Sequence, residues 1–338
     1  MKSSQVTIKD IAKALEISPS TVSRALKNHP DISAKTKKAV RELADQLHYE
    51  PNAIALSLRN RSSKTIGVIL PEIVHYFFSS VISGIEEVAY KSGFTVIICQ
   101  SNEDYEKEKH IVHTLISNHV DGVLASVSKT TTNYDHFDEL VKSNIPLVFY
   151  DRVLNLQKTD RVIVDDFTGS YKAVEHLIQQ GCKRIAHLAT SQELPIGRNR
   201  KNGYLQALKD NNLPIDEEII IRCDTDKHTL KCIPYLLSLT KPIDGIFAVN
   251  DNTAIRAMSI IKHSGYRIPE DIAVVGFSNS FFSGLTDPPL TSVEQQGFLM
   301  GTRSATLLLE RISQDVTIDS RVEQLKTELI IRESSLRL

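Results

Sequence analysis

The chain has 338 residues, of which 41% are hydrophobic and 24% charged. That length exceeds one ordinary compact domain, and the composition excludes a disordered chain. The formal net charge of −1 hides an asymmetry: residues 1–64 carry 12 Lys and Arg against 6 Asp and Glu, whereas the remainder carries 28 against 35. A small basic unit joined to a larger acidic one is expected to meet a polyanion through its N-terminus alone. No run of about 18 apolar residues is present, which argues against a membrane-spanning helix. The opening MKSSQVTIKDIAK holds no apolar signal-peptide core, so the chain is read as cytoplasmic. Cys99, Cys182, Cys223 and Cys232 form no C-x-x-C pair, and they are expected to be reduced thiols with no joint role.

Residues 1–48 read as three short helices. The first runs from about Ile8 to Ala14, with Thr7 as its cap and Asp10 three residues on, a capping box with Asp in place of Glu. Ser18 caps the second, and Pro19 takes its first position, where no backbone N–H is needed. The third spans about Ala34 to Leu47 after Ser33, with Val40, Leu43 and Leu47 at helical spacing. Pro51 breaks that helix and Asn52 can cap a short new one. Arg59, Arg61, Ser62, Ser63 and Lys64 then form a polar linker.

From Thr65 the pattern becomes strands alternating with amphipathic helices. TIGVIL (65–70), TVIICQ (95–100), DGVLAS (121–126) and PLVFYD (146–151) are apolar runs of strand length. RVIVDD (161–166), RIAHLA (184–189), GIFAVN (245–250) and IAVVGF (272–277) continue the rhythm, with helices between them. Buried parallel strands with crossover helices produce such runs, and ligands in these sheets sit at the C-terminal ends of the strands. No P-loop, G-x-S-x-G elbow or GxGxxG is present, so no enzyme and no cofactor are expected. His110, His113 and His119 lie on or near one helix without a completing carboxylate or thiol, and they are read as solvated rather than metal-binding.

The sharpest signal is DIAKALEISPSTVSRAL (10–26). Ile11, Ala12, Leu15, Ile17, Val22, Ala25 and Leu26 can pack two helices around a tight turn, and Pro19, Ser20, Ser23 and Arg24 make a polar outer face. A recognition helix enters the major groove in this way, with Arg24 able to read guanine bidentately and Ser20 a base or phosphate.

These residues carry a resemblance. The pattern V-T-I-x-D-I-A, then S-x-x-T-V-S-R-A-L, then L-x-Y-x-P-N-x-x-A-x-x-L resembles the headpiece of the LacI/GalR (lactose-repressor/galactose-repressor) family. The resemblance implies that Pro19, Ser20 and Arg24 read bases and that Thr7, Ser18, Thr21, Ser23 and Asn28 contact phosphates. It also implies a hinge helix at 52–59, with Asn52 at its start and Ala55 and Leu58 entering the minor groove. Leu58 would be the wedge that kinks the central step. The expected organisation is a helix-turn-helix headpiece (1–50), a hinge helix and linker (51–64), and a periplasmic-binding-protein-like core (65–338). The core is expected as two doubly wound parallel-sheet α/β subdomains, one at about 65–161 and 292–320 and the other at about 162–291 and 321–338.

The rest of the chain is similar to the family's effector domain, through IGVILPEI (66–73), DDFTGSYKAVEHLIQQGCKRIAHLA (165–189), RNRKNGYLQAL (198–208) and PEDIAVVGFSN (269–279) among other stretches. The resemblance places an effector, a sugar or related metabolite, between the subdomains. Tyr76, Phe77 and Phe78 would stand at the mouth, with Asp151 and Asn250 for hydroxyls and Arg200 for an anion or ring oxygen. Gly276-Phe277-Ser278-Asn279 departs from the family's frequent G-F/Y-D, so a neutral Ser278 replaces a ligand-facing carboxylate. The function implied is a repressor that binds a pseudo-palindromic operator as a homodimer under effector control. Control by a protein partner is the alternative. A solute-binding module without DNA regulation would need a signal peptide and no headpiece. No further heptad helix follows LIIRES (329–334), which favours a dimer over a tetramer.

Overall fold

Three residues with side-chain oxygens start the three N-terminal helices. In the computed structural model, which describes residues 6–49, 62–190, 194–223, 225–313 and 319–337, these are α1 (Ile8–Ala14), α2 (Pro19–Leu26) and α3 (Ala34–Gln46). At α1 the Asp10 carboxylate accepts from both the backbone N–H and the hydroxyl of Thr7, at 2.8 and 2.7 Å. These bonds hold the carboxyl below its ordinary range. Ser18 Oγ accepts from Thr21 N, and Ser33 Oγ from Thr36 N, both at 3.1 Å. Each cap satisfies a backbone donor that the first helical turn leaves unpaired. Ile11, Ala12, Val22, Ala25, Val40 and Ala44 are buried between the helices, and Leu15, Ile17 and Tyr49 pack against them.

The chain divides at Lys64/Thr65 into two compact units. The larger unit opens with β1 (Thr65–Leu70), α4 (Tyr76–Lys91), β2 (Thr95–Gln100), α5 (Tyr105–Ser117), β3 (Gly122–Ala125), α6 (Asp135–Lys142), β4 (Leu147–Tyr150) and β5 (Asp160–Val164). It continues with α7 (Asp166–Gln179), β6 (Ile185–Ala189), α8 (Pro195–Asp210), β7 (Ile220–Arg222), α9 (Asp226–Leu237), β8 (Gly245–Ala248), α10 (Asp251–His263), β9 (Ala273–Ser278) and β10 (Thr291–Glu294). Last come α11 (Gly297–Ser313), β11 (Val322–Leu325) and β12 (Glu328–Ile330).

These strands form two six-stranded sheets, ordered β11-β5-β4-β3-β1-β2 and β12-β10-β9-β8-β6-β7. The pairings are parallel except β10 with β12. In the first lobe α4 and α11 cover one face and α5 and α6 the other. In the second, α9 and α10 face α7 and α8 across the sheet. Burial on both faces explains the continuous apolar runs in the sequence. The chain crosses between lobes after β5, after β10 and after β11. Each crossing lies a few residues later than the expected 161/162, 291/292 and 320/321, because each strand is completed in its own sheet before the chain leaves it. No helix among the described residues is long and apolar enough to cross a membrane.

One expectation is overturned. Cys223, at the end of β7, and Cys232, in α9, are joined as a disulfide, while Cys99 and Cys182 are free. The chain folds back between β7 and α9, and a nine-residue separation gave no sign of that. Burial pushes the Cys182 thiol up to about 12.

In each lobe two helices meet through glycine. A Cβ at Gly84 of α4 would collide with the carbonyl oxygen of Phe298, and one at Gly301 of α11 with that of Val81. Gly203 of α8 stands in the same way against Phe167. Backbone lies against backbone, so no side chain can yield. Gly301→Ala is expected to destabilise the protein by about 1–3 kcal/mol through overpacking. Urea unfolding measures this; an unchanged midpoint would show that the helices separate freely.

Candidate functional site

The N-terminal unit presents a polar helix face. Pro19, Ser20 and Arg24 of α2 are exposed, Ser18 beside them is exposed, and Thr21 and Ser23 are half-buried. The opposite side of α2 sinks Val22 and Ala25 into the core, which fixes the rotation of the helix. Ser18 Oγ lies 2.7 Å from Ser20 Oγ and 2.8 Å from Thr21 Oγ1, so the first-turn hydroxyls hold one another in place. Arg24 has no hydrogen-bond or ionic partner among the described residues. Asn28 adopts a left-handed conformation (φ 60°), and its Oδ1 accepts from Arg41 Nη2 at 2.5 Å, linking the end of α2 to α3. Thr7 is exposed and bound to Asp10. Asn52, Ala55 and Leu58 lie outside the described residues.

In the larger unit the C-terminal strand ends carry the remaining candidates, and the structure sorts them into two groups. Tyr76, Phe77 and Ser278 line an open cleft of about 570 Å³ together with Ser80, Phe281, Glu294, Phe298 and Arg332. Phe78 is turned into the first lobe's core, 4% exposed, with Arg152 6.0 Å from its ring centroid. Ser278 takes φ 117°, unusual for a residue with a Cβ, and its hydroxyl donates to Gln295 Oε1 at 2.7 Å. Such conformations cost of order 1–3 kcal/mol and collect at functional sites.

The second group surrounds Arg200. Its guanidinium lies 3.7 Å from the Phe277 ring centroid. Nε donates to Asp166 Oδ1 at 2.8 Å and Nη1 to the Val249 carbonyl at 2.6 Å. Asp151 follows β4 in a left-handed turn (φ 59°) and is 7% exposed. Burial raises its carboxyl from 3.8 to about 6, against the nearby charges of Arg152 and Arg200 and with those of Asp166 and Glu103. Asn250 caps α10 through Oδ1, which accepts from Thr253 N at 2.9 Å, leaving its Nδ2 without a partner among the described residues.

Sequence reasoning missed the groups that hold these residues. Asp166 read as the end of a strand, yet it opens α7 and fixes Arg200. Glu103 pairs with Arg152 at 2.7 Å and accepts from Lys129 N at 2.7 Å. Burial pushes the Glu103 carboxyl up, but these partners together hold it below its ordinary value. Asp251, 2% exposed, accepts from Ser280 N, Ser283 Oγ and Ser292 Oγ at 2.6, 2.7 and 2.5 Å, fixing the segment that follows Ser278. Across the lobes, Asn252 Nδ2 stands 2.9 Å from His75 Nδ1, and His75 Nε2 stands 2.8 Å from Glu72 Oε2.

A headpiece with an exposed arginine on its second helix and a two-lobed core with polar strand ends have known counterparts. Residues 7–52 match the model of bacterial regulatory proteins of the lacI family, and residues 174–335 match a periplasmic binding protein-like domain. The HTH-type transcriptional repressor PurR of Aliivibrio fischeri is 33% identical over 98% of both chains. The chain belongs to the LacI family. Catabolite control protein A of Priestia megaterium, another relative, is 30% identical over 98% of this chain and 99% of its own. The lac repressor dimer, solved bound to operator and an anti-inducer, superposes with a TM-score of 0.84 at 26% identity, over 98% of this chain and all of that one. A LacI-family chain of this length is a DNA-binding transcriptional regulator and not an enzyme.

Arg24→Ala is expected to cost roughly 1–3 kcal/mol on an operator selected from random duplexes and to relax specificity at one base pair. Fluorescence anisotropy against single-base variants reads both. Equal weakening on every duplex would make Arg24 a phosphate contact.

Proposed function

We propose that the protein is a cytoplasmic repressor that binds a pseudo-palindromic operator as a homodimer and is switched by a small polar effector. The observation that carries the DNA half is the exposed face of α2, with an exposed Arg24 beside a network of first-turn hydroxyls. Pro19, Ser20 and Arg24 approach base edges, and Thr7, Ser18, Thr21, Ser23 and Asn28 stay near phosphates. Asn52, Ala55 and Leu58 belong to a hinge segment, with Leu58 as the minor-groove wedge. One headpiece offers few base contacts, so two related by a two-fold axis supply the specificity. The lac repressor, a dimer on its operator, supports this arrangement.

The effector half rests on the polar strand ends of the two lobes. Asp151, Arg200 and Asn250 make the polar contacts, with Tyr76, Phe77 and Ser278 toward the mouth, while Phe78 packs in the first lobe's core and supports them from behind. A relative named a ribose operon repressor, and a regulator solved with cellobiose, support a sugar or related metabolite. Effector binding changes the angle between the lobes and with it the spacing of the two hinge segments. The sign of control follows from which angle the effector favours.

Two outcomes test this reading. Operator affinity should fall steeply with salt, log K changing by about −0.9 per log unit of salt for each phosphate neutralised. A flat salt profile would remove the phosphate contacts. Thermal unfolding against sugars, sugar phosphates, nucleobases and nucleosides should show one class that stabilises the protein. Saturation at about 100 times the dissociation constant adds ~2.7 kcal/mol.

A further inference from the structure

Cys223 and Cys232 stand where two segments of the second lobe meet. Cys223 follows β7, and its backbone N–H donates to the Ala189 carbonyl at the end of β6 at 2.8 Å. Cys232 lies in α9, and the bond between the two closes over the first turns of that helix. Thr225 opens the helix between them, its Oγ1 accepting from His228 N at 3.2 Å. The free thiols stand elsewhere: Cys99 in β2 of the first lobe, and Cys182 beside the Asp244 carbonyl, at the opposite end of the second sheet.

The surroundings suit the dithiol as well as the disulfide. Thr229 is 1% exposed, and its hydroxyl donates to the Thr225 carbonyl at 3.1 Å. Its oxygen is left to accept, and it stands 3.6 Å from Cys223 Sγ. The Thr229 carbonyl stands 3.8 Å from Cys232 Sγ. Each sulfur therefore has an acceptor for the S–H it gains on reduction, so breaking the bond leaves no buried donor unpaired. Cys223 is also tied to the strand ends. Its carbonyl accepts from Thr253 Oγ1 at 3.3 Å, and Thr253 N donates to Asn250 Oδ1 at 2.9 Å.

We propose that Cys223 and Cys232 are a reversible thiol–disulfide switch whose reactant is a low-molecular-weight disulfide, and that its state sets how firmly α9 and the Asn250 turn are held. In the cytoplasmic setting proposed above, disulfides are usually transient and redox-sensing. The switch needs neither operator nor effector, so its failure leaves the proposed function standing. Cys232 reaches the surface, 6% exposed, whereas Cys223 is fully enclosed. Oxidation therefore starts at Cys232. Its thiolate, having lost a proton to solvent, attacks one sulfur of the small disulfide, forming a mixed disulfide and releasing a small thiolate. The Cys223 thiolate, likewise deprotonated, then attacks Cys232 Sγ and expels the second small thiolate. The protein gives up two electrons and two protons, and the small disulfide becomes two thiols.

The experiment reduces the full chain with dithiothreitol, removes the reductant and adds oxidised glutathione under native conditions. Acid-quenched samples are mapped without reductant, and amide hydrogen exchange is measured on both forms. The expected result is a peptide joining Cys223 to Cys232, formed under oxidised glutathione and lost again under dithiothreitol without denaturant. In the oxidised form exchange slows across 225–232 and across 250–253, and the unfolding midpoint rises by a few degrees. Cys232→Ser abolishes each of these changes, and Cys232→Ala serves should the hydroxyl pack badly. A bond that reductant breaks only in denaturant is a fixed staple, and it overturns the switch. So does a chain whose four cysteines stay thiols or stop at the mixed disulfide. Exchange across 250–253 that ignores the redox state overturns the link to the strand ends.

Discussion

The guanidinium of Arg200 is the group on which the second lobe's strand ends are arranged. A planar cation placed over the Phe277 ring still needs hydrogen-bond acceptors for its N–H groups. Asp166 at the start of α7 and the carbonyl of Val249 after β8 supply them. One side chain thereby links three segments that are far apart in sequence: the ends of β8 and β9 and the first turn of α7. The same interaction fixes the plane of the guanidinium and leaves Nη2 without a hydrogen-bond partner among the described residues.

The headpiece was legible because its structure is local. Thr7 with Asp10, Ser18 and Ser33 are caps that can be read from residue type and spacing, and the structure places a side-chain bond at each. The core strands were legible for a different reason. Parallel strands covered on both faces have no polar alternation, so Gly122–Ala125, Leu147–Tyr150 and Gly245–Ala248 stand out as fully buried runs. The edge strand β7 is three residues long and only partly buried, and such a segment has no pattern to find. The helix after it carries an internal proline, Pro234, which reads as a break.

At the cleft, residue types were legible but pairings were not. Arg200 stands out in the sequence, yet its partner Asp166 is 34 residues away and reads as a strand end. Phe77 and Phe78 are adjacent and chemically alike, but only Phe77 reaches the open cleft, since consecutive helical positions point about 100° apart. The loss of a carboxylate at Ser278 was visible in the sequence. That its hydroxyl would be taken up by Gln295, 17 residues on, was not, because the contact depends on the pairing of β9 with β10.

The reciprocal glycine contact between α4 and α11 has a mechanical meaning. Two helices that touch backbone to backbone have no compressible layer between them, so they turn as one strut. One end of that strut carries Tyr76 and Phe77, and α11 begins directly after the chain returns from the second lobe. A rotation introduced at that return reaches the aromatic residues without being absorbed by side-chain rearrangement. The first lobe therefore has a stiff transmission built from Gly84 and Gly301, two residues that touch no ligand and carry no charge.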